Sequence, residues 1–80
     1  MRLSDINEFV DAYKLTSRLH ERAFGSGHCV SAVQLPSASA LREAATLCDR
    51  SIASTSYDDG EGRRLSFDFR GIVFEFWGRE

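Results

Sequence analysis

The C-terminal segment of the chain constrains the fold more than any other part of the sequence. Segment 63–80 reads RRLSFDFRGIVFEFWGRE and contains five aromatic residues interrupted by charged ones. Because side chains alternate along a β-strand, a two-residue turn at Arg70-Gly71 gathers six apolar side chains on one face. The pairs on this face are Phe69 with Ile72, Phe67 with Phe74 and Leu65 with Phe76, and those on the other face are Asp68 with Val73, Ser66 with Glu75 and Arg64 with Trp77. We therefore predict an antiparallel hairpin whose Phe-rich face is buried and whose opposite face points outward.

The turn of this hairpin leaves one alternative open. A type I′ turn requires a positive φ at both central residues. Gly71 adopts such an angle readily, whereas Arg70 is a poor choice for it. A longer or bulged turn is therefore the alternative to the two-residue turn.

The first part of the chain has the spacing of a long amphipathic helix, roughly from Asp5 to Phe24. The apolar positions are Ile6, Phe9, Val10, Tyr13 and Phe24, with Ala12, Leu19 and Ala23 beside them. Leu15 departs from this stripe and is expected to be exposed. Ser4 or Asp5 can cap the helix, and Asp5 with Glu8 fits a capping box at the N-terminus. The Gly-Ser-Gly segment 25–27 ends the helix.

A second helix and two further strands complete the expected fold. Pro36 ends an apolar strand over 29–35, and Ser37 is the predicted N-cap of the helix that follows. Segment 52–57 is rich in Ser and Thr, so we expect an edge strand there. We predict one α+β domain, 1–80, in the order αβαβββ, with two helices covering one face of a small, mainly antiparallel four-stranded sheet. The first strand reaches the others through the second helix, which permits one parallel pairing.

Composition excludes several classes of protein. The net charge is −2, which argues against direct binding of nucleic acid, because that affinity normally rests on many Lys and Arg residues. No apolar run approaches the length needed to cross a bilayer, and the N-terminus lacks the apolar segment of a signal peptide. We therefore expect a full-length cytoplasmic protein with no membrane partner.

The sequence predicts neither catalysis nor a cofactor. Cys29 and Cys48 form no CxxC motif and have no accompanying His/Cys cluster, so they read as two buried residues in a reducing compartment. No Gly-x-Ser-x-Gly motif is present. Asp58, Asp59 and Glu61 lack the spacing of a calcium-binding loop, and we predict no metal site.

The remaining candidates for function are acidic groups and one tryptophan. Asp58, Asp59 and Glu61 form one acidic cluster, and a second is expected from Asp68 and Glu75 on the outward face of the hairpin. Acidic side chains there would engage a basic partner protein by electrostatic complementarity. Trp77 is the expected buried anchor of that contact, because tryptophan is enriched among the residues that dominate binding energy. The predicted partner-binding residues are Asp58, Asp59, Glu61, Asp68, Glu75 and Trp77.

In length, acidity and lack of a catalytic motif, the chain resembles the anti-CRISPR proteins of phages and mobile elements. The resemblance is one of kind, covers the whole chain and carries no shared motif. It implies a non-enzymatic inhibitor that acts in the cytoplasm of a bacterial host cell. Such an inhibitor would bind a type I CRISPR–Cas surveillance complex, on a Cas subunit with a basic DNA-binding surface, and so block DNA binding. Both a monomer and a homodimer are compatible with this function.

The alternative is a small DNA-associated regulator, such as a repressor or an antitoxin. Its support is a set of arginines that would gather at the ends of the hairpin. These residues are Arg63, Arg64, Arg70 and Arg79.

Overall fold

The computed structural model describes residues 1–25, 32–56 and 62–79. Its elements are α1 (Leu3–Phe24), β1 (Ala32–Gln34), α2 (Ala38–Leu47), β2 (Ala53–Ser56), β3 (Arg63–Phe69) and β4 (Ile72–Gly78). The strands form one four-stranded sheet in the order β1-β4-β3-β2. β1 runs parallel to β4, and the other two pairings are antiparallel. The predicted α+β class and the order αβαβββ are confirmed, as is the parallel pairing of the first strand.

The hairpin has the register predicted from the alternation of its side chains. All six predicted cross-strand pairs form between β3 and β4. The connection is a two-residue turn in which φ is 54° at Arg70 and 83° at Gly71. The tight turn therefore forms despite the arginine, and the bulged alternative does not occur.

Contacts with α1 hold the arginine of the turn in its unfavourable backbone conformation. The Nη2 group of Arg70 donates to Oδ1 of Asp11 at 2.6 Å. Its Nη1 group donates to the carbonyl oxygen and to Oδ1 of Asn7 at 3.3 and 3.2 Å. A positive φ at a residue with a side chain costs about 1–2 kcal/mol, and these contacts between the turn and the helix offset part of that cost.

The Phe-rich face of the hairpin is the centre of the core, as predicted. The rings of Phe67 and Phe74 stack with their centroids 5.2 Å apart. Helix α1 covers this face with the fully buried Val10, and helix α2 covers it with Leu41. The buried apolar residues are Val10, Leu41, Ala44, Ala45, Cys48, Leu65, Phe67, Ile72 and Phe74.

Helix α1 differs from the prediction at its N-terminus. It begins at Leu3 with Arg2 as the N-cap residue, and Arg2 makes no side-chain cap. Both predicted caps are therefore wrong, because Ser4 and Asp5 lie inside the first turn and not at the cap. The Asp5 carboxylate instead accepts a hydrogen bond from Nε of Arg2 at 3.1 Å. An acid in the first turn remains favourable because it opposes the positive end of the helix dipole.

Helix α1 is longer than the sheet it covers. Its 22 residues span about 33 Å, whereas the seven residues of β4 span about 23 Å. Leu15 is exposed, as predicted. Leu19 and Phe24, expected on the apolar stripe, are 48% and 79% exposed, and neither packs against the core cluster.

The shorter elements agree with the predictions, apart from their ends. Ser37 caps α2 by accepting a hydrogen bond from the Ala40 amide at 3.0 Å. The predicted edge strand is β2, all of whose residues are exposed. Within the predicted strand over 29–35, β1 occupies Ala32–Gln34, and positions 29–31 lie outside the described residues. No helix in the described ranges has the length and apolar character needed to span a bilayer.

Candidate functional site

The alternation of side chains along β3 and β4 creates a second face on the side of the sheet opposite the helices. We call this the outer face. The parallel register places Gln34 of β1 opposite Glu75 of β4, so one more side chain joins the hairpin residues. The residues of the outer face are Gln34, Arg64, Ser66, Asp68, Val73, Glu75 and Trp77.

Glu75 lies at the centre of the outer face but is almost inaccessible. Its residue is only 7% exposed. Nε of Arg64 donates to Oε2 of Glu75 at 2.9 Å, and the side-chain amide of Gln34 donates to Oε1. Both carboxylate oxygens therefore have partners within the chain, as a buried charge requires. Glu75 lies on the predicted face, but its charge is used to organise that face.

Arg64 connects the buried carboxylate to the exposed tryptophan. Its Nη1 group donates to Oγ of Ser66 at 3.2 Å. Its guanidinium carbon lies 5.5 Å from the centroid of the Trp77 ring, which is the cation–π distance expected for this cross-strand pair. Trp77 is 47% exposed. The outer face therefore presents a large aromatic ring beside an arginine whose guanidinium group is hydrogen-bonded to Glu75 and Ser66.

Asp68 occupies the other end of the outer face, near the hairpin turn. Its Oδ1 accepts a hydrogen bond from Nη2 of Arg50 at 3.2 Å. Asp68 and Glu75 were expected to form one acidic cluster, and the structure instead pairs each with a different arginine. Between Asp68 and Arg64 lies a shallow depression of about 340 Å³, which is also lined by Ser66 and Val73.

The other three predicted contact residues fall in a separate part of the chain. Asp58, Asp59 and Glu61 lie outside the described residues. The contact role of this acidic cluster stays a prediction.

The arginines behind the alternative DNA-linked function are divided between the two ends of the hairpin. Arg70 lies in the turn, whereas Arg63 and Arg64 lie at the other end, opposite Gly78 and Trp77. Arg70 and Arg64 each form an ion pair with an acid of the chain itself. These two guanidinium groups are therefore partly neutralised before any phosphate approaches.

Sequence reasoning missed two residues that shape the outer face. Gln34 would have been found from the alternation within β1, if the parallel register with β4 had been specified. Arg50 follows α2 and meets Asp68 at the end of β3 through tertiary packing. No local spacing in the sequence indicates that contact.

Across the described ranges, no group of three or more His, Cys, Asp or Glu side chains is arranged to hold a metal ion. Cys48 is buried in the core, and burial raises the pKa of its thiol, while the charge of Arg50 opposes that rise.

The chain matches no protein-family model, no curated protein and no solved structure.

Proposed function

We propose that this chain is a non-enzymatic inhibitor that binds a protein partner through the outer face, with Trp77 as the anchor. The proposed partner is a type I CRISPR–Cas surveillance complex, in keeping with the resemblance to anti-CRISPR proteins. Binding would occupy a basic surface that otherwise receives DNA.

The observation that carries this proposal is the fixed position of Trp77. The half-exposed ring lies beside Arg64, which is itself bonded to the buried Glu75. Residues that dominate protein interfaces are most often Trp, Tyr and Arg in well-ordered surroundings. A ring ordered before binding loses little conformational entropy when the partner arrives.

The acidic groups contribute in two different ways under this proposal. Asp68 is exposed and can exchange its contact with Arg50 for one with a basic residue of the partner. Such an exchange is energetically accessible because exposed ion pairs contribute only about 0–1 kcal/mol. Asp58, Asp59 and Glu61 add negative charge that would steer association with a basic surface.

The test is a pull-down from a nuclease-treated bacterial lysate that contains a type I surveillance complex, read by mass spectrometry. Wild-type protein and a Phe24→Ala variant should recover the Cas subunits in stoichiometric amounts, whereas Trp77→Ala should not. Phe24 is a matched control because it is an exposed aromatic residue at the far end of α1. Failure of the folded wild-type protein to recover any Cas subunit would contradict the proposed partner.

Charge reversal separates the acidic cluster from the tryptophan. Asp58→Lys with Asp59→Lys should weaken binding to the surveillance complex and reduce its dependence on salt, since screened charge attraction is then lost. Unchanged affinity would remove these two residues from the interface.

A gel-shift titration with duplex and single-stranded DNA tests the alternative function, because binding that collapses with salt would favour a DNA-linked regulator.

A further inference from the structure

Strand β1 leaves one edge of the sheet open among the described residues. It is the terminal strand of the sheet and pairs only with β4 there. The amide of Leu35 donates to the carbonyl oxygen of Glu75 at 2.8 Å, so the main chain of Leu35 faces β4. Because main-chain groups alternate in direction along a strand, the N–H and C=O groups of Gln34 point away from β4, towards the open edge.

An apolar groove lies along the same edge. It has a volume of about 320 Å³ and runs between β1 and the N-terminal half of α1. Its apolar lining includes Ile6, Phe9, Val33, Leu35 and Phe74. Phe9 is 44% exposed although its ring lies 6.2 Å from that of Phe74 in the core. The groove therefore exposes apolar surface that is continuous with the core.

The open edge and the groove meet at one residue. Gln34 lines the groove, while its side chain lies on the outer face beside Glu75. The main chain of Gln34 is thus the part that faces both the groove and the edge. A strand placed beside β1 would form hydrogen bonds with this main chain and direct every second side chain into the groove.

We propose that the β1 edge binds an extended segment of a partner protein, which adds as a fifth strand and places an apolar side chain in the groove. This site lies on a different surface from the outer face and does not depend on Trp77. A strand fits better than a helix or a small apolar molecule, because only an extended main chain satisfies both edge groups of Gln34.

The acidic groups near the groove are paired within the chain. Asp5 lines the groove and accepts a hydrogen bond from Arg2, and Glu43 of α2 lies 3.9 Å from the N-terminal amine. Main-chain pairing at the edge and the apolar groove therefore define the ligand. The expected ligand is an extended segment in which apolar residues alternate with polar ones.

The opposite edge of the sheet, strand β2, differs from β1 in the side chains that surround it. Strand β2 is also terminal, but its sequence is Ala-Ser-Thr-Ser and all four residues are exposed. The depression that reaches Ala53 of β2 is lined in part by the polar side chains of Ser51, Arg64, Ser66 and Asp68. The β1 edge therefore offers both main-chain pairing and a specific side-chain pocket.

The test uses a panel of short blocked peptides in which lysine alternates with valine, leucine or phenylalanine. Each peptide is made in two N-methylated forms that have identical side chains but lose alternate sets of backbone N–H groups. The Gln34 amide should shift in the NMR spectrum and exchange more slowly when peptide binds. One N-methylated form should bind at least about tenfold more weakly than the other, because a main-chain hydrogen bond is lost in only one of them.

Two matched variants complete the experiment. Phe9→Ala should weaken peptide binding, whereas Leu19→Ala should not, although the two residues are similarly exposed on the same helix. Trp77→Ala should bind peptide as the wild-type protein does, which separates this site from the outer face. The proposal is overturned if no peptide of the panel shifts the Gln34 amide at millimolar concentration, if both N-methylated forms bind equally, or if the Phe9 and Leu19 variants lose the same affinity.

Discussion

Arg64 donates a hydrogen bond to Glu75 at 2.9 Å while its guanidinium carbon lies 5.5 Å from the centre of the Trp77 ring. One side chain therefore both neutralises a buried acid and supports an exposed aromatic residue. This arrangement couples the stability of the hairpin to the shape of the surface that we propose binds a partner.

Replacing Arg64 with alanine should reduce both the stability of the protein and the order of Trp77. The free energy of unfolding should fall by about 1–3 kcal/mol, because Glu75 loses a charged hydrogen-bond donor in a largely buried position. Urea unfolding measures the stability, and Trp77 fluorescence anisotropy measures the order of the ring. Arg63→Ala is the control, since Arg63 is exposed on the same strand and should change stability by less than about 0.5 kcal/mol. Equal losses for the two variants would show that the contact with Glu75 contributes nothing specific.

Replacing Gly78 with alanine should destabilise the hairpin at the strand end that carries Trp77. Gly78 has a φ of 151°, and a Cβ atom there would lie 3.0 Å from Cζ of Phe76. Backbone strain of this kind costs about 1–3 kcal/mol, so the melting temperature should fall by several degrees. Gly71→Asn is the matched control, because Gly71 also has a positive φ and has open space around it, and asparagine adopts a positive φ more readily than most other residues. A melting temperature that falls no further for Gly78→Ala than for Gly71→Asn would contradict this prediction.

The buried thiol of Cys48 should make the protein less stable in alkaline solution. Burial raises the pKa of this thiol in the folded state, with Arg50 opposing the shift. Its contribution to stability is therefore complete below the unfolded thiol's pKa of about 8.5, and is lost as the pH rises through the folded pKa. Urea unfolding of the wild-type protein and of Cys48→Ala at a series of pH values measures the effect. Above a pH of about 8.5, the wild-type protein should lose more stability than the variant. Parallel pH profiles for the two proteins would contradict the prediction.

Much of the sheet could be predicted from local patterns. Alternation of apolar and polar side chains around Arg70-Gly71 determines the register of β3 and β4, because a slip by one residue would expose the phenylalanines. The Ser- and Thr-rich composition of β2 similarly indicated an edge strand. Alternation of side chains was sufficient for the hairpin, and local composition was sufficient for the edge strand.

The organisation of the candidate site depends on contacts that no local pattern specifies. Gln34 reaches Glu75, and Arg50 reaches Asp68, only after β1 and α2 have packed against the hairpin. The sequence therefore predicted which side chains share a face, and could not predict that Glu75 would be neutralised there. The capping box failed because α1 begins at Leu3, earlier than predicted, which places Asp5 inside the first turn.

The most direct test of the proposed function is the dissociation constant of the complex with a purified type I surveillance complex, measured by titration for three proteins. Trp77→Ala should bind at least about 30-fold more weakly than the wild-type protein, the loss expected when a dominant interface residue is truncated. Phe24→Ala should bind as the wild-type protein does, and circular dichroism should show that both variants are folded. Equal dissociation constants for Trp77→Ala and wild-type protein, or no binding by the folded wild-type protein, would contradict the role proposed for the outer face.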